Sequence, residues 1–171
     1  MARTLNPAAQ VSKIIRAELK AAGIPATVRS KSYSMGNSVT VTLTDDPMPA
    51  TVKAVTQELR KYQLGRFDAM TDMYEDSNRR TDIPQTKYLT INVEYSDELY
   101  QRAWDFLRNR IAGWENCSAF YSELTWRDQN KDTGQCAQQE VAEVLTGRLD
   151  ERLPAGKQFW TAAKPRIKAA A

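Results

Sequence analysis

Apolar and polar positions alternate along this chain in two rhythms, and the change between them predicts the elements. Val11, Ile14, Ile15 and Leu19 recur at three- and four-residue spacing, one stripe of an amphipathic helix. Asn6-Pro7 opens that helix, because asparagine suits the cap and proline the first helical position. Gly23 ends it, and Pro25 prevents continuation. Period two follows. Val39, Val41 and Leu43 alternate with Ser38, Thr40, Thr42 and Thr44, predicting a strand over 38–44. A weaker strand over 27–34 sets Arg29, Lys31 and Tyr33 against Val28, Ser30, Ser32 and Ser34. Its poor apolar face marks it as an edge strand. The turn between the two is expected at Met35-Gly36-Asn37.

Beyond the loop Asp45-Asp46-Pro47-Met48-Pro49, Val52, Val55, Leu59 and Tyr62 predict a second helix over 50–63. A short strand is expected over 67–74, an exposed polar loop over 75–86, and a clear strand over 88–95 with Leu89, Ile91, Val93 and Tyr95 on its inner face. Ser96-Asp97 caps a third helix whose inner stripe is Leu99, Ala103, Phe106, Leu107 and Ile111. Alternation at Phe120, Ser122, Leu124 and Trp126 suggests a further strand, and Ala137, Val141, Val144 and Leu145 a helix over 133–149. The order α-β-β-α-β-β-α, then a strand and a helix, predicts an α+β fold: an antiparallel sheet with helices on one face. The expected organisation is a domain over 1–113 and a C-terminal extension over 114–171, packed on it and ending in a basic tail. The closing Lys168 to Ala171 reads as a cloning remnant.

Composition narrows the chemistry. The 171 residues contain no histidine, which removes the usual catalytic base and most zinc sites. Cys117 and Cys136 read as isolated thiols, and nothing in the chain resembles a signal peptide or a membrane span, so the bacterial cytoplasm is the expected location. No phosphate-binding glycine loop or nucleophile elbow occurs. No catalytic residue, cofactor or metal is therefore assigned. The net charge of +3 is unevenly spread: residues 1–44 carry six lysines and arginines against the single acid Glu18, while 45–150 are acidic and 151–171 basic again. Such segregation suggests separate faces for separate partners, or segments that each solvate their own surface.

Three constellations follow. Arg29, Lys31 and Tyr33, with Arg16 and Lys20 on the neighbouring helix, form a basic hairpin suited to a nucleic-acid backbone and an exposed base, or to an acidic protein surface. Asp68, Asp72, Glu75 and Asp76, with Asp45 and Asp46 nearby, form an acidic patch. It could hold a divalent cation, mimic phosphates on a basic groove, or simply be solvated. Glu18-Leu19-Lys20 has a nuclease-like spacing but sits on a predicted helix. Among Tyr100, Trp104, Phe106, Trp114, Phe120, Tyr121 and Trp126, core packing explains most; Trp104 falls off the inner stripe and reads as an exposed anchor for a partner or a homodimer.

Four pieces carry a resemblance: residues 15–20 (IRAELK), residues 28–39 (VRSKSYSMGNSV), Thr44-Asp45-Asp46-Pro47, and residues 67–72 (FDAMTD). In order and spacing they resemble the large polyvalent protein-associated domain 29 family over about residues 8–96. The family pattern has tryptophan at Leu43 and glycine at Asp46 and Ala69, which implies a reshaped turn before Pro47. The resemblance implies a phage or plasmid accessory protein. A short relative of this kind suggests a non-enzymatic inhibitor that binds a host defence protein or nucleoprotein complex, in anti-CRISPR or anti-restriction action. The alternatives are a DNA- or RNA-binding accessory protein and a metal-dependent nuclease.

Overall fold

The computed structural model describes residues 6–110, 114, 117–125, 128, 135–153 and 157–162. Trp126, Ile111 and most of the basic C-terminal tail lie outside them. The chain divides into two compact units, Met1–Glu94 and Tyr95–Ala171. Among the described residues no helix is long and apolar enough to cross a membrane. No disulfide joins Cys117 and Cys136.

In the first unit, helix α1 spans Pro7–Ala21, and its start follows from the cap: Asn6 Oδ1 accepts from the Ala8 amide at 3.0 Å. Its end is a Schellman motif. Gly23 takes φ 67°, its amide reaches Lys20 O, and the Ile24 amide reaches Leu19 O at 2.9 Å. Strands β1 (Ala26–Tyr33) and β2 (Gly36–Leu43) form the expected hairpin, with Tyr33 opposite Gly36. The turn residues are therefore Ser34 and Met35, slightly earlier than expected; Asn37 is drawn into the ladder, where its Oδ1 accepts from the Thr86 hydroxyl and the Lys87 amide.

Helix α2 (Pro49–Leu59) continues as a 3-10 turn over Arg60–Tyr62. In place of one strand over 67–74 there is a small hairpin, β3 (Arg66–Asp68) paired with β4 (Met73–Glu75). Strand β5 (Tyr88–Val93) then returns to β2. The sheet order is β1-β2-β5, with β1 antiparallel and β5 parallel to β2. The sheet is thus mixed, not antiparallel. A tight turn can only reverse the chain, but the crossover between β2 and β5 carries α2 and the small hairpin and lets the chain re-enter in the same direction. The expected placement of helices on one face holds. Val28, Val39, Val41 and Leu43 share a core with Val11, Ile15 and Leu19 of α1 and Val55 and Leu59 of α2. Each such buried side chain contributes about 1.5–3 kcal/mol.

Asp45 and Asp46 follow β2 with φ of 64° and 51°. Asp46 itself takes the left-handed backbone that a glycine favours, which aspartate tolerates better than most residues.

The second unit is built on aromatic rings. Helix α3 (Asp97–Arg108) is capped by Ser96 Oγ, and α4 spans Ala137–Leu145, shorter than the 133–149 expected; a short α5 covers Phe159–Ala162. Leu99, Ala103, Trp104 and Leu107 pack with Trp114, Val141, Val144 and Phe159. Trp104 is fully buried, its ring 5.3 Å from Trp114 and its Nε1 donating to Ser118 O at 3.0 Å. The reading of Trp104 as an exposed anchor is therefore corrected: the buried face of α3 is wide enough to take positions 103, 104 and 107 together. The strand expected around 120–126 is, where described, a 3-10 turn over Tyr121–Glu123. Local partners satisfy that backbone, since the Tyr121 amide donates to Gln101 Oε1 and the Phe120 amide to Ser118 Oγ. The Tyr121 ring stacks on Tyr100 at 5.0 Å.

Candidate nucleic-acid interface

The pleat sends alternate side chains to opposite sides of the sheet. With Val28, Val39 and Val41 turned to the helices, the other face is fixed by register. Lys31 stands opposite Ser38, which stands opposite Tyr88; Arg29 opposite Thr40 and Thr90; Thr27 opposite Thr42 and Asn92. Among the described residues of the first unit no helix covers this face, and Arg29, Lys31, Thr90 and Asn92 are exposed. Tyr33 is 47% exposed and Tyr88 36%, so two rings stand open at the end nearest the β1–β2 turn. The paired rows contain no carboxylate. Among the described residues Arg29 and Lys31 have neither an ion-pair partner nor a side-chain hydrogen bond.

Lys87 adds a third cation at the same end. Its Nζ lies 5.4 Å from the Tyr88 ring centre and 5.3 Å from that of Tyr74, within cation–π range. Tyr74 meets Tyr88 edge-on at 5.2 Å. Its hydroxyl donates to Lys87 O and accepts from the Gly65 amide at 3.0 Å, and burial raises its pKa, so the proton stays in place. This ties the small hairpin to the start of β5.

The sequence grouped Arg16 and Lys20 with Arg29 and Lys31, but the structure separates them. Helix α1 lies on the opposite face of the sheet, and Arg16 Nη2 donates to Val28 O at 2.9 Å, capping a strand carbonyl. Lys20, one turn later on α1, is exposed on the helix layer. What the sequence missed is the contribution of β5. Tyr88 and Thr90 were visible as the outer face of that strand, but only the parallel register sets them beside Lys31 and Arg29.

The acidic patch is drawn into the small hairpin. Asp68 accepts from the Met70 amide at 2.9 Å and from Thr71 Oγ1 at 3.2 Å, holding the turn. Asp72 closes that turn with φ 53°, Glu75 faces Arg66 across the ladder, and Asp76 pairs with Arg79 at 3.3 Å. Between these acids, Phe67, Met70 and Met73 are exposed, Met70 almost completely. Glu18 is likewise occupied, accepting from the Tyr62 hydroxyl at 2.6 Å and Lys61 Nζ at 3.2 Å. The Tyr62 hydroxyl is pushed up to about 12, chiefly by burial and then by this carboxylate. Among the described residues no group of three or more acidic or cysteine side chains is placed to hold a metal ion.

The model of one family, large polyvalent protein associated domain 29, matches residues 6–100. The chain belongs to this family. The match takes in the whole described part of the first unit, with both hairpins and the open sheet face, and runs into the first turn of α3. Membership places the chain among proteins associated with phages and mobile elements. No curated protein and no solved structure matches the chain.

Proposed function

We propose that this chain is a non-catalytic accessory protein of a mobile element that binds single-stranded nucleic acid on the open face of its first sheet. One observation carries the reading: Arg29, Lys31, Tyr33 and Tyr88 share an uncovered face without carboxylates. Cations supply the phosphate attraction, and exposed rings supply stacking platforms for unpaired bases. The polar floor of Ser38, Thr40 and Thr90 offers hydroxyls to sugars and phosphates.

The test is fluorescence anisotropy of a labelled single-stranded oligonucleotide across a salt series. Affinity should fall steeply as salt rises, and the double variant Arg29→Glu/Lys31→Glu should lose it. Undetectable binding, or equal binding by that variant, would sink the reading.

A second reading, inhibition of a host anti-phage complex by direct protein contact, is favoured by the exposed Phe67, Met70 and Met73 on the small hairpin. Methionine-rich surfaces adapt to protein partners. The variant Met70→Asp separates the readings, since it should abolish inhibition while leaving oligonucleotide binding unchanged.

A further inference from the structure

An open basin of about 560 Å³ lies where the 3-10 turn after α2 meets β3 and the loop that follows β4. Arg60, Lys61, Arg66 and Arg80 line it, with Ser77 and Asn78. Two of the cations are committed. Lys61 is bound by Glu58 and Glu18, and Arg80 meets Asp82 through Nε at 2.9 Å and Nη2 at 2.5 Å. The guanidiniums of Arg60 and Arg66 have, among the described residues, neither a carboxylate partner nor a hydrogen bond. Glu75 stands opposite Arg66 in the ladder without forming an ion pair with it.

The wall of the basin is pre-set. The loop over 76–82 is exposed, yet side-chain amides staple it. Asn78 Nδ2 donates to Arg60 O and Gln63 O, while Gln85 Nε2 donates to Lys61 O and Asn78 O and its Oε1 accepts from the Arg80 amide. A second cavity of about 260 Å³ shares Arg60 and Gln63 and is lined by Thr56 and by Leu89 and Ile91 of β5. Cationic donors thus adjoin a mixed cleft, walled by Thr56 and Gln63 as well as by Leu89 and Ile91. None of these side chains belongs to the open sheet face, since Leu89 and Ile91 point to the other side of β5.

We propose that this basin binds the phosphate group of a nucleotide, held between the Arg60 and Arg66 guanidiniums, with the base in the adjoining cleft of Thr56, Gln63, Leu89 and Ile91. A guanidinium fork matches two phosphate oxygens at once, and two forks left without counter-charge supply what a dianionic terminal phosphate requires. The cleft beside them, where the Thr56 hydroxyl and Gln63 stand next to Leu89 and Ile91, offers a ring both polar and apolar contacts and so selects a phosphate that carries one over inorganic phosphate. The phosphate can come from a free nucleotide or from the 5′ end of a strand.

Isothermal titration calorimetry of the full chain with adenosine 5′-monophosphate tests this, with inorganic phosphate and adenosine as comparisons. The nucleotide should bind at least about tenfold tighter than either fragment, and Arg60→Ala and Arg66→Ala should each weaken it by about tenfold or more. Arg66→Lys, which keeps the charge and loses the fork, should also weaken it. Lys31→Ala should leave it unchanged, so failure here is distinguishable from failure of the sheet-face reading. A preference for 5′-phosphorylated over 5′-hydroxyl oligonucleotide, lost in Arg66→Ala, would assign the phosphate to a strand end; nucleotide binding without that preference would assign it to the free nucleotide. No saturable binding of either phosphate-bearing ligand at millimolar concentration, or equal binding by the arginine variants, would overturn the proposal.

Discussion

The first unit holds two hairpins that look alike as charge clusters and differ in what their charges do. In the β1–β2 hairpin, Arg29 and Lys31 project from a ladder held by backbone bonds and by Val28, Val39 and Val41, and among the described residues no partner engages them. In the β3–β4 hairpin, three-residue strands bury little, and the carboxylates take over the structural work: Asp68 holds the turn and Asp76 pairs with Arg79. A charge cluster in a well-packed element is available for a partner, whereas in a thin element it is part of the frame.

The largest expected effect that tests this contrast lies at the root of the small hairpin. A Cβ at Gly65 would stand 1.7 Å from Glu75 O, a backbone contact that cannot yield. Gly65→Ala should cost about 3 kcal/mol, read as a fall in the urea midpoint; an unchanged midpoint would mean that the hairpin seats differently.

The Glu18–Tyr62–Lys61 group comes next. Tyr62→Phe should cost about 1.5–3 kcal/mol at neutral pH, because the buried hydroxyl donates to a carboxylate. The sign with pH follows from the raised value. Stability from the Tyr62 proton is fully present below pH 10.0, the ordinary tyrosine value, and is lost as pH rises through about 12. The gap between wild type and variant in urea titrations should therefore narrow above pH 10.0. A constant gap would assign the effect to packing alone.

The smallest pair sharpens the comparison directly. Asp68→Ala should lose about 1 kcal/mol with its two turn bonds, while Lys31→Ala should change stability by less than about 0.5 kcal/mol. Equal losses would erase the distinction between a framing charge and a free one.

What the sequence made legible follows the same division. Asn6, Pro7 and Gly23 bounded α1 because capping is local chemistry, and the alternation in β2 marked its buried face because α1 and α2 pack on that face alone. The parallel return of β5 was not legible, since nothing local distinguishes a strand that reverses from one that crosses over. Strands β3 and β4 are too short to show alternation, and their turn is made by aspartates in place of glycine. Burial of Trp104 depends on Trp114 and Ser118, residues that helical spacing on α3 alone does not reach. That Arg29, Lys31 and Tyr33 share one face of β1 was legible from their alternation, whereas Tyr88 joins them only through register.

The row along β2 gives the open face a shape as well as a charge. Gly36, Ser38, Thr40 and Thr42 are short, while Tyr33, Lys31 and Arg29 rise along one flank and Tyr88 on the other. The flanking strands lie about 10 Å apart, twice the strand spacing. The relief is a shallow trough one polymer strand wide, closed at the turn end by aromatic shoulders. A flexible single strand can lie along its floor; a stiff double helix would rest on the rims.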